Sequence, residues 1–403
     1  MRILNVTQSY APFFEFGGPP VKVRALAEGM AKRGHQVTVL TADWGLENRL
    51  KELSGGPPAP PGPFGRSQIA DGVTTIYLPV WWHFRATSWN PALGRYLRAR
   101  LAGFDVAHIY GLYDFLGPRV ASECLKRKIP FVVEPIGMFV PIVRNIRMKQ
   151  LYHRLWGRQM LQNADAIIAT AEQERDELLA GGVAPAKIHL RRNGVEAPDT
   201  LPVRGSFRAQ LKIPDQAKLI LFLGRLSAKK SPDLLLRAFQ RLQKSPDRGG
   251  TEAHLAFVGP DDAGMEAQLI DLTRAAGIVP YVHMCGPLAG QAKWQAYRDA
   301  DVFVLPSQNE NFGNTAAESI AAGTPVIVSD QCGIAPLLKD VAGLVIRHEE
   351  DDLTHSLSQL LSDEGLHRRL RDGCAAVAAA LSWEQPLRDM EMIYSSLASR
   401  AKT

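Results

Sequence analysis

Short apolar segments alternate with amphipathic ones along the first half of the chain. The segments "RILNVTQ" and "QVTVLTA" are typical of strands, and "VKVRALAEGMAKRGH" between them places Val23, Leu26, Ala27 and Met30 at helical spacing. This strand–helix–strand order predicts parallel strands joined by a right-handed crossover. Four later segments are also predicted to be strands: "VTTIYLP", "FDVAHIY", "PFVVEP" and "DAIIAT".

The second half repeats the plan. The apolar strand "KLILFLG" is followed by the helical pattern "SPDLLLRAFQRLQK", and four more strands are predicted at "AHLAFVG", "YVHMCG", "DVFVLPS" and "PVIVSD". Strands that are apolar throughout indicate a parallel sheet buried on both faces. Residues 193–205 contain Pro and Gly without periodicity. We therefore predict an α/β protein with two Rossmann-like domains, residues 1–197 and 198–383, facing a central cleft. A final helix, residues 384–403, would cap the second domain or cross back to the first.

Composition agrees with this division. A chain of 403 residues is long for one domain, and 46% hydrophobic with 22% charged residues is typical of a globular protein. No apolar run reaches the roughly 18 residues that span a bilayer, and we expect no signal peptide. The scattered Cys124, Cys285, Cys332 and Cys374 predict reduced thiols in a cytoplasmic protein. The net charge of +6 suits anionic partners such as nucleotides or acidic lipids.

Two loops after predicted strands could bind an anion. In "FEFGGPPVK", Gly17 and Gly18 would let the backbone approach a ligand, and the following prolines would start a helix whose N-terminus attracts negative charge. A simple tight turn is the alternative. The loop lacks the G-x-G-x-x-G pattern, which disfavours a dehydrogenase. In "GRLSAKKSPD", Arg225 and Lys230 could straddle a diphosphate, unless both are merely solvated.

Two further loops follow strands of the second half. Gly259 in "VGPDDAG" would again permit close approach of a ligand. In "ENFGNTAAE", Glu310 and Glu318 lie eight residues apart. Residues 315–318, Thr-Ala-Ala-Glu, fit the capping-box pattern, which predicts a helix beginning at Thr315. These residues alone do not decide between a structural role in capping the helix and a chemical role for the two glutamates.

The spacing of these residues resembles that of the retaining family 4 glycosyltransferases of GT-B fold. Gly224-Arg225 with Lys230 matches their G-R-x(4)-K pattern, and Glu310 with Glu318 matches E-x(7)-E. The N-terminal loop, helix and strand and the segment "RRNGVE" also resemble the family, so the likeness extends over nearly the whole chain. It implies a retaining hexosyltransferase in polysaccharide or glycolipid biosynthesis. The donor would be a nucleoside-diphosphate sugar, bound by the second domain. The acceptor, a saccharide or a lipid-linked saccharide, would bind to the first.

The resemblance also implies roles for individual residues. Arg225 and Lys230 would hold the donor diphosphate, Glu310 would contact the donor sugar near its reacting face, and Glu318 would bind the ribose hydroxyls. No metal ion or cofactor is expected, because cationic side chains and helix ends hold the phosphates. The remaining donor-binding positions implied are Gly17, Gly18, Gly224, Gly259, Gly286, Pro287, Leu288, Asn311, Phe312, Gly313 and Asn314.

The acceptor side departs from the family. Many members carry H-x-H after a strand of the first domain, whereas "DVAHIYGLYDFLGP" keeps His108 and places Tyr110 at the second position. Tyrosine is a poor base near neutral pH, and a buried strand-end histidine often serves the fold. Glu134 in "EPIGM" could assist on the acceptor side. The alternatives are a GT-B sugar-nucleotide epimerase, a phosphorylase, or a non-catalytic nucleotide-sugar-binding protein.

Two segments suggest contact with lipid. The range Arg144–Leu161 alternates basic and apolar residues, a pattern typical of a helix that lies on an anionic membrane surface. The alternative is a helix that packs its apolar face on the sheet and exposes its charges to water. Leu78–Trp89 contains three tryptophans that could bind sugar rings or a lipid carrier. We expect a cytoplasmic protein at the inner face of a membrane, and no nucleic-acid partner, because the positive residues join no recognised module.

Overall fold

The chain folds into two compact units. The computed structural model describes residues 1–84, 87–141, 145–244 and 252–401. The first unit comprises Met1–Gly194 together with Trp383–Thr403, and the second comprises Val195–Ser382. The first boundary therefore falls within the irregular segment 193–205, and the last helix of the chain belongs to the first unit.

The first unit is built on an eight-stranded sheet. The strands of the sheet are β1 (Arg2–Thr7), β2 (Gln36–Asp43), β3 (Arg66–Ala70), β4 (Val73–Pro79), β7 (Val106–Tyr110), β8 (Phe131–Glu134), β9 (Ala166–Ala169) and β10 (Ile188–Leu190). Two more strands, β5 (Trp82–Phe84) and β6 (Thr87–Trp89), form a separate hairpin. The sheet order is β10-β9-β8-β7-β1-β2-β4-β3. All pairs are parallel except β3 with β4. Asp71 and Gly72 both have positive φ there, as a two-residue hairpin turn requires.

Helices cover both faces of this sheet, as expected for strands that are apolar on both sides. They are α1 (Gly18–Lys32), α2 (Ala92–Arg100), α3 (Leu116–Arg127), α4 (Ile146–Tyr152), α5 (Arg158–Asn163), α6 (Glu172–Ala180) and the C-terminal helix (Glu384–Arg400). A π-helical turn, His153–Gly157, joins α4 to α5, so the basic segment is helical from Ile146 onward. Arg144, where the predicted helix began, lies outside the described residues.

The C-terminal helix is held to α1 by a shared core and by ion pairs. Its Met390 and Leu397 are buried in the same cluster as Val23 of α1. On the surface, Arg33 binds Glu384 and Glu391 through separate guanidinium nitrogens, at 2.6 and 3.0 Å. The amphipathic pattern of the helix is thus matched by α1, which accounts for its place in the first unit.

The second unit contains a fully parallel six-stranded sheet. Its strands are β11 (Lys218–Leu223), β12 (Ala253–Val258), β13 (Val282–Met284), β14 (Val302–Leu305), β15 (Val326–Ser329) and β16 (Gly343–Ile346). Its helices are α7 (Ser206–Leu211), α8 (Pro232–Lys244), α9 (Met265–Ala275), α10 (Gly290–Asp299), α11 (Asn314–Ala321), α12 (Ala335–Leu338), α13 (Glu350–Ser362) and α14 (Glu364–Ala380). The prediction of an α/β fold with two parallel-sheet domains is confirmed.

The strand order of the second sheet is β13-β12-β11-β14-β15-β16. From β11 the chain adds β12 and β13 toward one edge of the sheet, and from β14 it adds β15 and β16 toward the other edge. The two central strands therefore mark the point where the order reverses, and in open α/β sheets ligands bind beyond the carboxyl ends of such strands. The loops carrying Arg225, Lys230 and Glu310 follow these two strands.

Candidate functional site

The loops after β11 and β14 form what we call the switch-point site, residues 224–231 and 306–318. Backbone hydrogen bonds tie these loops to their neighbours: the N–H of Gly224 donates to Val258 O (2.8 Å), Gly259 to Gly286 O (2.8 Å), Gln308 to Lys229 O (2.9 Å) and Glu310 to Gln331 O (2.9 Å). Loops that follow five different strands are thereby linked into one rim. These backbone hydrogen bonds hold the loops, and with them the side chains of the site, in place.

Gly224 and Gly259 meet within this rim. A Cβ added at Gly259 would clash with the carbonyl oxygen of Gly224, and the φ of Gly259, +143°, is one that other residues rarely adopt. The position therefore requires glycine because of its contact with the neighbouring loop. Close approach to a donor at Gly259 stays a prediction.

Lys230 and Glu310 form the central ion pair of the site. Lys230 Nζ lies 2.7 Å from Glu310 Oε2, and the two side chains are 20% and 21% exposed. Burial opposes ionisation of Glu310, but the charge and hydrogen bond of Lys230, with the charge of Lys229, hold the pKa of Glu310 below its usual value. Glu310 is thus a carboxylate at neutral pH. Arg225, the third residue predicted to act in catalysis, is exposed in the same loop as Lys230.

Helix α11 begins earlier than the capping-box pattern predicted. Its first residue is Asn314, and Gly313 at the N-cap has a left-handed φ of 100°. Thr315 is the second helical residue, and its buried hydroxyl has no hydrogen-bond partner among the described residues. The capping-box prediction is therefore wrong: a glycine, which tolerates this conformation, turns the chain into the helix instead. Asn311 is partly exposed, whereas the Phe312 side chain is buried in the core.

Glu318, one turn into α11, has both carboxylate oxygens engaged. Oε1 accepts from Lys293 Nζ at 2.8 Å and Oε2 from Tyr297 Oη at 2.9 Å. Burial and the charge of Glu318 raise the pKa of Tyr297 well above its ordinary value, so its hydroxyl remains a donor. Sequence reasoning missed both partners. Their spacing of four residues on one face of α10 was the available signal.

The other predicted donor-binding residues occupy two places. Gly286, Pro287 and Leu288 follow β13, with Pro287 exposed and Leu288 partly buried against the core. Gly17 and Gly18 belong to the first unit, where Gly17 is the N-cap of α1 and prolines follow in its first turn. The predicted loop-to-helix transition is therefore present at α1.

The three predicted acceptor-side residues lie together in a buried cluster of the first unit. Glu134 accepts hydrogen bonds from Arg191 Nη2 through both of its carboxylate oxygens, each at 2.7 Å, and is ion-paired with Lys22. His108 Nε2 lies 3.5 Å from Glu134 Oε2. None of the Lys22, Arg191, His108 and Glu134 side chains is more than 2% exposed. We call Lys22, His108, Tyr110, Glu134, Arg191 and Tyr394 the buried cluster.

His108 is also bonded to the C-terminal helix. Its Nδ1 lies 2.6 Å from Tyr394 Oη, and its ring stacks on Tyr110 at 3.9 Å. Burial, which outweighs the attraction of Glu134, and the charges of Arg191 and Lys22 lower the pKa of His108 to about 3. Tyr110 is 2% exposed, and burial raises its pKa well above 10. The geometry favours a structural role for these residues, and contact with an acceptor stays a prediction. Lys22, Arg191 and Tyr394 were missed from the sequence.

The described residues contain neither a metal-binding group nor a membrane-spanning helix. In residues 1–84, 87–141, 145–244 and 252–401, no three His, Cys, Asp or Glu side chains are grouped as a metal would require. Within the same ranges, no helix combines the length and apolar character needed to cross a bilayer. All four cysteines are free thiols.

Comparison with known proteins identifies the family. The family model described as "Glycosyl transferase 4-like domain" matches residues 17–194, and the one described as "Glycosyl transferases group 1" matches residues 203–374. The first match lies in the first unit and the second in the second unit. The chain belongs to the family 4 glycosyltransferases of GT-B fold, as the sequence resemblance predicted.

Several relatives are more specifically described. The D-inositol 3-phosphate glycosyltransferase of Actinosynnema mirum is 32% identical over 243 residues, 59% of this chain and 58% of the relative. That of Corynebacterium aurimucosum is 33% identical over 263 residues, 61% of this chain and 60% of the relative. The matches thus span less than two thirds of these relatives.

Solved structures share the fold over the full length. Sucrose-phosphate synthase from Thermosynechococcus elongatus superposes with a TM-score of 0.74 at 20% identity, covering 99% of both chains. Anabaena Alr3699/HepE, in complex with UDP and glucose, gives a TM-score of 0.74 at 16% identity, covering 98% of this chain and 100% of that one. At these identities the likeness establishes the fold alone.

Proposed function

We propose that the protein is a retaining glycosyltransferase that moves a hexose from a nucleoside-diphosphate sugar to a saccharide or lipid-linked acceptor without a metal ion. The observation that carries the proposal is the partly exposed ion pair at the switch point, where Lys230 and Glu310 lie 2.7 Å apart and Arg225 is exposed in the loop that carries Lys230. Family membership supports it. The sugar-nucleotide epimerase and the non-catalytic binding protein remain the alternatives that the experiment below must separate.

Cations at this rim suit the electrostatic demand of the reaction. As the bond between the anomeric carbon and the phosphate oxygen breaks, negative charge develops on the leaving diphosphate. Arg225 offers forked donors and Lys230 a point charge, so together they stabilise that charge without a metal ion. Lys230 is ion-paired with Glu310 in this geometry, and a bound diphosphate would compete for the same ammonium group.

The proton balance needs no protein base. In a front-face transfer the acceptor hydroxyl oxygen forms the new bond on the side from which the diphosphate leaves, and its proton passes to the leaving phosphate oxygen. Retention of configuration follows. The role of Glu310 would then be to hold the donor sugar and to stabilise positive charge at the anomeric carbon, which an ionised carboxylate does best.

Glu318 would bind the ribose of the donor. Its carboxylate is oriented by Lys293 and Tyr297, and the side chain keeps 17% of its surface exposed. Two vicinal hydroxyls donating to one oriented carboxylate form a geometrically specific contact. Because UDP-glucose is bound in Anabaena Alr3699/HepE, UDP-hexoses are the first donors to test, with GDP- and ADP-sugars alongside.

The test measures nucleoside diphosphate release from these donors, with inositol phosphate and simple saccharides as acceptors and with metal chelated. We expect Glu310→Gln to lower turnover by about 100-fold or more, as loss of a transition-state contact does, while the Kd for the nucleoside diphosphate changes by less than about threefold (~0.65 kcal/mol). Glu364→Gln, at an exposed position on α14, is the matched control.

The outcomes separate the alternatives. The anomeric configuration of the product, read by NMR, should equal that of the donor; inversion would remove the retaining mechanism. Release of an epimerised sugar would favour the epimerase. Nucleotide binding without turnover of any donor would favour a non-catalytic binding protein, and normal turnover in Glu310→Gln would remove the switch-point site as the catalytic centre.

A further inference from the structure

The first unit carries a groove that neither the switch-point site nor the buried cluster uses. Its volume is about 630 Å³, within the range of small-molecule sites. The wall residues come from β6, the start of α2, α3 and the helical segment 146–163. Its apolar lining includes Trp89, Phe115, Leu125, Trp156 and Met160.

Three aromatic rings form one side of this groove. Trp89 and Phe115 pack edge to face with centroids 6.0 Å apart, and Phe115 and Trp156 do so at 5.8 Å. Trp89 is 53% exposed and Trp156 is 40% exposed, whereas Met160 beneath them is buried. Large aromatic side chains fixed in this way around an open groove favour an apolar occupant over water.

Two arginines provide a cationic end. Arg98 Nη1 and Arg119 Nη2 each lie 3.7 Å from the position that a Cβ would take on Gly94, so both guanidinium groups border that glycine. No Asp or Glu lines the groove. Neither arginine makes a salt bridge with any carboxylate in the described part of the chain. Two guanidinium groups beside one glycine of the groove wall are suited to a phosphate, and Glu123 of α3 offsets only part of the charge of Arg119.

The surface around the groove has the same character. Of the residues that the structure describes, 87–104 and 145–164 contain three and four Lys or Arg residues and no Asp or Glu, whereas α3 between them carries Glu123. Met148, Leu151 and Leu155 of the helical segment are 54%, 52% and 48% exposed. Exposed apolar side chains among an excess of cations are typical of a face that contacts an anionic membrane surface.

We propose that this groove binds the hydrocarbon chain of a lipid-linked acceptor, with the phosphate of its head group held by Arg98 and Arg119. The inference rests on the proposed function, since it names the acceptor class for that reaction. An amphiphile with an anionic head and an apolar chain satisfies both ends of the groove at once. A saccharide without a lipid could stack on the aromatic wall but would leave the exposed Met148, Leu151 and Leu155 beside it uncovered.

The test uses farnesyl phosphate as a soluble probe, with farnesol, inorganic phosphate and vesicles of phosphatidylglycerol and phosphatidylcholine as comparisons. Calorimetry on the full chain should show farnesyl phosphate binding. Trp156→Ala should weaken it by about 10-fold, the effect of losing one large buried anchor. Met392→Ala, exposed on the C-terminal helix, is the matched control and should bind normally.

The head-group contact has its own variants. The double change Arg98→Gln with Arg119→Gln should weaken farnesyl phosphate by about 10-fold or more and leave farnesol binding within about twofold, because only the phosphate loses its charge-assisted hydrogen bonds. Arg369→Gln, at an exposed position on α14, should change neither. Circular dichroism of each variant checks that the fold is retained.

Four results would overturn the inference. Farnesyl phosphate could fail to bind while a nucleoside diphosphate binds, which would leave the proposed function standing. Binding could be unaffected by Trp156→Ala and by the double arginine variant. Vesicles alone could bind, indicating surface contact without use of the groove. Finally, farnesyl phosphate could bind through the groove in a protein that turns over no donor, which would overturn its assignment as an acceptor site.

Discussion

The two units contain the same chemical pair in two different settings. Each sheet has a point where strand order reverses, and near each lies a lysine paired with a glutamate: Lys230 with Glu310 in the second unit and Lys22 with Glu134 in the first. The first of these pairs is about one-fifth exposed. The side chains of the second are 2% and 0% exposed, and Arg191 binds the same carboxylate.

Exposure decides what such a pair can do. A partly exposed pair can exchange a partner for a ligand group, because water compensates each charge during the exchange. A fully buried carboxylate between two cations has no such freedom, and removing it leaves both cations uncompensated. We therefore expect the Lys230–Glu310 pair to act in ligand binding and chemistry, and the buried cluster to stabilise the first unit and its C-terminal helix.

The largest expected effect is on stability. Glu134→Gln should lower the free energy of unfolding by about 3–5 kcal/mol, the usual cost of breaking a buried ion pair, whereas Glu310→Gln should cost less than about 1 kcal/mol because its pair is partly solvated. Urea denaturation with two probes measures both. Equal losses in the two variants would show that the difference in exposure has no energetic consequence.

The next effect is on rate. Arg225→Ala should lower the rate of transfer by about 100-fold or more, since it removes a donor to the leaving group. Tyr110→Phe removes only a buried hydroxyl and should alter the rate by less than about threefold (~0.65 kcal/mol). Steady-state kinetics with the active donor decides the ranking. The opposite ranking would place the chemistry in the first unit.

A smaller effect is expected on nucleotide affinity. Glu318→Gln keeps the shape of the side chain but loses its charge, which should weaken nucleoside diphosphate binding by about 10-fold, corresponding to one charge-assisted hydrogen bond of roughly 1.5 kcal/mol. Calorimetry gives the Kd directly. If the variant binds normally and only melts earlier, Glu318 serves to hold Lys293 and Tyr297 in place.

The smallest effect concerns pH. Because burial lowers the pKa of His108 to about 3, the unfolded chain takes up a proton near pH 6.5 that the folded chain does not. The stability contributed by the neutral ring is complete above pH 6.5 and falls as the pH drops toward 3. Between pH 6 and 5 the wild type should lose about 1 kcal/mol more than His108→Gln. Parallel profiles for the two proteins would contradict a buried neutral His108.

Most of the fold could be predicted because the central strands are buried on both faces and so appear as continuous apolar segments. The strands that were missed, β3, β5, β6, β10 and β16, are short or carry exposed side chains, as all three residues of β5 do. Apolar periodicity is weak in such segments, and only the Asp71-Gly72 turn signals β3.

The sequence predicted which residues form the candidate site, but it did not predict which of them contact one another. The spacing of Arg225, Lys230, Glu310 and Glu318 is visible in the sequence, but the pairing of Lys230 with Glu310 depends on β11 lying beside β14. The start of α11 was misplaced because two residue types compete for the N-cap, and the conformation of Gly313 prevailed. In the buried cluster, Glu134 and Arg191 are 57 residues apart, and no local pattern indicates that they meet.

One paired measurement tests the central claim most directly. Turnover per folded molecule and melting temperature would be recorded for Glu310→Gln and Glu134→Gln at a temperature where both are folded. The account predicts a crossover: Glu310→Gln melts near the wild type and loses turnover by about 100-fold or more, while Glu134→Gln melts well below the wild type and keeps its turnover. A Glu310→Gln protein with full turnover, or a stable Glu134→Gln protein without it, would contradict the account.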